Sequence, residues 1–417
     1  MSAGRSGARV LLARHARMSF APLLVPMAIT AALAAGCRES SRTDARAAAG
    51  TAGATSAAAA GAASQRAARS GPDSAASGPS HSAHPQYVAR PDTLRGLYVN
   101  RWAALGDRMW ELVGVARRTE VNSLVIDVKD DRGFVLYRSR VPLARAIGAD
   151  TNRPMSPRRL AALFDSLRAN NIYPIARIVV AKDPLLASTR LEWAIKRRAD
   201  GKPWLDKNGR PWLDASQPAV WQYAVDLARE ARDAGFSAVQ FDYVRFPDDQ
   251  RLAREATFAL AHGRPRARII RDQLGTVREA LKPSGMRMQI DVFGLTATDT
   301  TDMGIGQRWE DFIDRADVVL PMTYPSHFAP GTYGLSNPNA HPYATIDHAL
   351  KDIRDRTAGI ANAAEIVPWY QDFTLGPPVY GASQVRAQIK AGYDNGFHSW
   401  ILWNPGSKYD TAAFERR

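Results

Sequence analysis

Two aspartates, Asp242 and Asp291, recur in one local pattern. Gln240-Phe241-Asp242 and Gln289-Ile290-Asp291 each set a carboxylate two residues after an amide, inside an apolar run. Side chains alternate along a strand, so the Gln and Asp of each triplet share a face while Phe241 and Ile290 point the other way. Two carboxylates facing one cleft are the equipment for cleaving a glycosidic bond: one protonates the leaving oxygen, the other attacks or activates water. Burial and mutual repulsion would keep one of them protonated near neutrality. The same pair suits a cation. The plainest competing reading is structural, with Asp242 paired to Arg245 and Asp291 to Arg287. The eight His are scattered without a His-x-His pair, which disfavours zinc or binuclear hydrolase chemistry. No Gly-x-Ser-x-Gly elbow is present, and the single cysteine, Cys37, lies far from either triplet. No metal or other cofactor is called for.

These triplets need a frame. Short apolar runs at 95–100, 123–130, 173–180, 238–247, 286–294, 316–324, 365–371 and 397–404 read as strands. Between them the helical period predicts helices at 107–119, 157–170, 218–234, 264–282, 307–315, 343–357 and 383–394. Eight strands alternating with helices over residues 93–417 predict an α/β fold of the (β/α)8 TIM-barrel type. The alternative, an open doubly wound sheet, leads one to expect a glycine-rich turn after an early strand, and none is present. Polar residues gather at the C-terminal strand ends, the active-site face of such a barrel: Asn100, Asp127, Lys129, Arg177, Asp242, Arg245, Asp291, Tyr324, Gln371 and Asn404. An insertion repeats Pro-Trp-Leu-Asp at 203–206 and 211–214 about Asn208-Gly209, a dipeptide suited to a tight hairpin. Its Trp204 and Trp212 are expected either to flank a ligand or to fill the loop's own small core.

The formal charge is +14, from 55 basic and 41 acidic residues. About half of that excess falls within residues 1–91, and the remainder has no Lys/Arg-rich run that reads as a nucleic-acid patch. Arg5, Arg9, Arg14 and Arg17 precede an uncharged apolar run, Met18 to Gly36, in the order of a signal peptide. The run ends Leu33-Ala34-Ala35-Gly36-Cys37, which is similar to a bacterial lipobox and implies lipidation of Cys37. A signal peptide cut at small residues without lipidation, or an uncleaved anchor, is the alternative. Residues 37–92 are Ala, Ser, Gly and scattered Arg, too poor in large apolar residues to offset ordering entropy, and read as a disordered tether. The chain is therefore expected at the bacterial cell envelope, exported and held to a membrane through Cys37. Its oligomeric state is not legible.

Arg95-Gly96-Leu97-Tyr98, Val125-Ile126-Asp127-Val128-Lys129-Asp130, Ala176-Arg177-Ile178-Val179-Val180 with Lys182-Asp183-Pro184, and Trp212-Leu213-Asp214 resemble a bacterial (β/α)8-barrel family of predicted glycoside hydrolases. Gln240 through Pro247, Pro321-Met322-Thr323-Tyr324-Pro325, Pro368-Trp369 with Gln371-Asp372-Phe373, and Trp403-Asn404-Pro405 extend the resemblance across nearly all of 94–417. The family is remotely similar to the α-amylase-like barrels. That resemblance implies a strand-four nucleophile at Asp242. The strand-five acid is usually Glu in those barrels and would here be Asp291, with Asp372 standing in for a third, strand-seven carboxylate. Asp127, Lys129, Arg177, Lys182, Tyr243, Arg245, Tyr324, Trp369, Gln371, Asp372, Trp403 and Asn404 are the candidate substrate-binding residues. The expected activity is hydrolysis of a polysaccharide or oligosaccharide. The alternatives are a non-catalytic glycan-binding lipoprotein on the same barrel and an envelope scaffold without glycan affinity.

Overall fold

The computed structural model describes residues 87–417. The signal segment, Cys37 and the tether up to residue 86 lie outside the described residues. Among the described residues there are eleven strands: β1 (Arg95–Val99), β2 (Ser123–Lys129), β3 (Tyr173–Val179), β4 (Lys196–Arg197), β5 (Ala238–Asp242), β6 (Ala256–Thr257), β7 (Arg287–Phe293), β8 (Val318–Met322), β9 (Glu365–Ile366), β10 (Trp369–Gln371) and β11 (Trp400–Trp403). Nine of them form one parallel sheet in the order β10-β11-β1-β2-β3-β5-β7-β8-β9, and β10 also pairs with β8, which closes it. β9 and β10 share one barrel position, interrupted at Val367-Pro368, where proline has no N–H for the ladder. The result is the eight-position parallel barrel with flanking helices that the strand count predicts. β4 and β6 pair separately, as a small antiparallel sheet under the insertion.

Two apolar layers hold the barrel. Leu97, Leu124, Ile126, Ile178, Phe241, Ile290 and Val319 face outward into the core shared with the helices. Val125, Ile175, Ala238, Val318, Leu320, Trp369 and Ile401 fill the interior. Phe241 and Ile290 thus take the helix side, which leaves their flanking Gln and Asp inside the barrel. The helix Pro218–Ala234 shows how β5 is delivered. Pro218 starts it, and Val220, Ala224, Leu227, Ala228 and Ala231 form its buried stripe. Gly235 ends it at φ 119, where a Cβ would stand 2.9 Å from the Phe164 ring. The chain then enters β5 three residues later.

Several boundaries differ from expectation. The extended run read at 238–247 ends at Asp242, because Tyr243 turns left-handed at φ 55. Strand alternation therefore stops at Asp242, three residues before Arg245. The helix expected at 307–315 is a single turn, Trp309–Phe312. Short helices Arg101–Leu105, Pro142–Ala146 and Pro184–Thr189 occupy loops after strands. After β11 the chain makes only a 3-10 turn, Thr411–Ala413. The chain is already packed at 87–92: Val88 lies against the interior cluster, and Arg90 pairs with Glu365.

Candidate active site

Asp242 and Asp291 meet at one arginine. The register pairs Gln240 with Gln289 and Phe241 with Ile290, so the two triplets lie level on neighbouring strands. From the other side of β5, β3 contributes Arg177, whose Nη2 donates to Asp242 Oδ2. Its Nη1 donates to Asp127 Oδ1 on β2 at 2.6 Å, and its Nε lies 3.8 Å from Asp291 Oδ2, beyond hydrogen-bond reach. Tyr98 on β1 donates its hydroxyl to Asp127 Oδ2 at 2.6 Å. Four consecutive barrel strands plus β7 thus supply one buried cluster of three carboxylates around a single guanidinium.

The two central carboxylates have different partners. Asp242, 7% exposed, accepts from Arg177 Nη2 and the Tyr243 backbone N–H. Asp291, 1% exposed, accepts on Oδ1 from the Gln240 amide at 2.8 Å and the Trp369 indole at 2.7 Å. Its Oδ2 has no hydrogen-bond partner. Burial, and then the neighbouring charge of Asp242, push the Asp291 carboxyl well above the ordinary range, against the pull of Arg177. Burial raises Asp127 to about 6, although Arg177 and Tyr98 oppose it. The Tyr324 hydroxyl, buried and unpartnered, is pushed upward by burial and by the charges of Asp291 and Asp242. A carboxyl pushed upward beside an ion-paired carboxylate is an arrangement suited to acid-assisted bond cleavage.

The pairings of the competing structural reading, Asp242 with Arg245 and Asp291 with Arg287, do not form. Arg245 pairs with Asp248 at 3.4 Å, and Arg287 with Glu365 at 3.3 Å. The residue that does pair, Arg177, comes from another strand.

The other candidates divide by location. Trp403 stacks on Tyr98 at 3.9 Å between ring centroids, and both rings lie about 5 Å from the Arg177 guanidinium carbon. Trp369 is buried and serves Asp291 through its indole N–H rather than offering a face. Next to this cluster, Lys182 bonds Asp131 at 2.9 Å and the Tyr243 hydroxyl at 3.3 Å. Tyr243 and Asp131 hold its ammonium above the ordinary lysine range even though burial works the other way. Arg245 lies over the Tyr243 and Phe293 rings at 4.8 and 4.6 Å. At the β10–β11 edge, Asn404 donates to the Asp372 carbonyl and caps its own loop at Gly406 N. Asp372 is pushed to about 7 by burial and by Asp410.

Two candidates are elsewhere. Lys129 lies on the helix side, paired with Asp183 at 2.6 Å, because the β2–β3 register shifts between Asp127 and Lys129. That irregularity turns Lys129 away from the face Asp127 occupies. Gln371 ties loops together, accepting from Ser326 N at 3.0 Å and donating to the Phe373 carbonyl at 2.9 Å. In the insertion, Trp204 and Trp212 fill the loop's own core: their indoles donate to the Leu252 carbonyl and to Asp206, and neither is exposed. Sequence reasoning missed Tyr98 as a site residue. The signal was its place among inward positions of β1, level with the inward residues of β2. Among the described residues, no group of three or more His, Cys, Asp or Glu is arranged to hold a metal ion.

Comparison with known proteins places this geometry in a context. Among curated proteins the sequence has no match. A hypothetical protein from Ruminiclostridium thermocellum ATCC 27405 is 36% identical over 47% of this chain and 97% of its own, with a TM-score of 0.42. The PgaB (BpsB) glycoside hydrolase domain from Bordetella bronchiseptica shares the fold at 13% identity, covering 76% of this chain and 95% of its own, with a TM-score of 0.54. The glycoside hydrolase domain of PelA from Pseudomonas aeruginosa aligns at 12% identity over 77% of this chain and 97% of its own, with a TM-score of 0.42. The family model described as "Putative glycosyl hydrolase domain" matches residues 96–409, from the start of β1 to beyond β11, and the chain belongs to that family.

Proposed function

We propose that the protein is a glycoside hydrolase that cleaves a polysaccharide with Asp242 as nucleophile or base and Asp291 as general acid. The observation that carries this reading is the unequal environment of the pair: Asp242 is ion-paired with Arg177, while burial and the charge of Asp242 push the Asp291 carboxyl upward, against the donors Gln240 and Trp369. In a glycosidic cleavage the acid protonates the departing oxygen and the carboxylate supports the developing oxocarbenium charge. Trp403, with Tyr98 behind it, offers a ring for the flat face of a sugar. Tyr324 would bond a hydroxyl near the reacting carbon, and Lys182, Tyr243 and Arg245 would hold hydroxyls or acidic substituents at the rim. Membership of a glycosyl hydrolase family and a barrel shared with a named glycoside hydrolase domain support the reaction class. Cys37 would be lipidated, placing the enzyme at the cell envelope with the Ala/Ser/Gly-rich stretch that follows as its tether.

The test is a screen of the full-length, detergent-solubilised protein against a glycan panel, scored for new reducing ends. Release from at least one glycan, abolished in Asp242→Asn, is the expected result. Glycan binding on an array without product on long incubation would select the non-catalytic lipoprotein instead. The absence of both would leave the scaffold reading.

A further inference from the structure

Arg177 faces three carboxylates. Asp127, Asp242 and Asp291 reach it from three strands, all nearly fully buried, yet only two of them are hydrogen-bonded to it. The third contact is open on both sides: Arg177 Nε and Asp291 Oδ2 are each buried without a hydrogen-bond partner, 3.8 Å apart. A shift of about 1 Å would bring them to bonding distance. An arginine fork readily binds a carboxylate through two N–H groups, so something must stop it from closing on Asp291. Asp127 is in the position to do so. It takes Nη1 on one oxygen, and its other oxygen is held by the Tyr98 hydroxyl, both at 2.6 Å. Tyr98 is fixed in turn by stacking on Trp403.

We propose that Asp127 is a positioning residue that, with Tyr98, holds the Arg177 fork spread between itself and Asp242 and keeps Nε out of hydrogen-bond reach of Asp291. This rests on the roles assigned to Asp242 and Asp291 above, and it reassigns Asp127 from a sugar ligand to a residue acting through Arg177. The consequence follows from the groups that face Asp291. Gln240 and Trp369 donate to it, Asp242 lies close enough to repel its charge, Tyr324 adjoins it, and among the described residues Arg177 is the cation paired with it. Asp127 is faced by Tyr98, Arg177 and Asp130. A guanidinium bonded to Asp291 Oδ2 would stabilise the ionised carboxylate and draw off the proton that a general acid must deliver.

The experiment is a pH titration of the full-length protein labelled with 13C at the aspartate carboxyls, comparing wild type with Asp127→Ala, and with Asp291→Asn to assign the Asp291 signal. The Asp291 midpoint is expected to fall by about one pH unit or more in Asp127→Ala. Asp127→Asn should restore it toward wild type, because an Asn carbonyl accepts from Arg177 while its amide donates to the Tyr98 oxygen. Tyr98→Phe, which keeps the carboxylate and removes only its brace, should shift the midpoint the same way by less, and it serves if Asp127→Ala does not fold. An Asp291 midpoint unchanged in these variants overturns the proposal whether or not any glycan is cleaved, so its failure is separate from failure of the glycosidase reading. With a substrate in hand, the basic limb of kcat/KM should move to lower pH in Asp127→Ala with KM nearly constant. A raised KM with an unmoved limb would make Asp127 a sugar ligand, and lost stability with an unmoved limb would make it merely structural. Either result would reject the proposal.

Discussion

Gln240-Phe241-Asp242 and Gln289-Ile290-Asp291 are near-copies in sequence and sit level on adjacent strands, yet their aspartates occupy different surroundings. Asp242 faces a full charge, Arg177, and retains slight exposure. Asp291 is more deeply buried and bonded to a neutral amide and a neutral indole. The difference originates outside the triplets. Arg177 on β3 adjoins β5 but not β7, whereas Trp369 reaches Asp291 from β10. Position on the barrel, not local sequence, separates an ion-paired carboxylate from one whose carboxyl is pushed upward, a difference suited to acid-assisted glycoside cleavage.

Breaking either member should show the asymmetry. On the cleaved glycan, Asp242→Asn is expected to lower turnover by roughly 10⁴-fold or more, as loss of a nucleophile does. Asp291→Asn should cost roughly 10²- to 10⁴-fold, the range of a general acid. Both variants should keep a near-native melting curve, since an Asn carbonyl at 291 can still accept from Gln240 and Trp369. Equal losses at both positions would weaken the comparison.

Removing the charge that distinguishes them should act on stability. Arg177→Met leaves Asp127, Asp242 and Asp291 buried without a cation and is expected to destabilise the fold by roughly 3–5 kcal/mol at pH 7, measured by denaturant unfolding. The loss should shrink at pH 5, where protonated carboxyls no longer need the partner. Unchanged stability at pH 7 would mean that the three acids are not held by Arg177.

A smaller effect is expected at the barrel edge, at a carboxyl with no guanidinium in contact. Burial and Asp410 raise Asp372 from 3.8 to about 7. A folded-state value above the unfolded one favours the fold at low pH, and that contribution is lost as pH rises through about 7. Asp372→Asn should therefore melt a few degrees above wild type at pH 8 and coincide with it near pH 4. A lower melting temperature at pH 8 would show that the ionised carboxylate is stabilising there.

Much of this arrangement was legible because strand alternation is local. The period of two placed Asp242 and Asp291 inward from their own neighbours, and the strand count supplied the barrel. Contacts between strands distant in sequence were not legible. Arg245 and Arg287 are the nearby cations in sequence, but the ion-pair partner is Arg177, 65 residues away. Lys129 has the parity of Asp127, and only the irregular register between them turns it to the helices. The end of β5 was misplaced because Tyr243 adopts a left-handed conformation that an aromatic side chain rarely favours. The backbone turns directly after Asp242, and strained geometry of this kind gathers at functional sites. The Pro-Trp-Leu-Asp repeat gave the hairpin, with Leu205 bridging Pro211, but could not say that both indoles turn inward.

The most direct test compares two leaving groups. A glycan needs a proton on its departing oxygen, whereas a nitrophenyl glycoside of the same sugar departs as a stable phenolate and needs none. Turnover of both should be measured for Asp242→Asn and Asp291→Asn, using the sugar that the glycan screen identifies. The account predicts that Asp242→Asn loses both substrates, while Asp291→Asn loses the glycan and keeps most of its activity on the nitrophenyl glycoside. The reverse pattern, with Asp242→Asn sparing the nitrophenyl substrate and Asp291→Asn losing both, would contradict it.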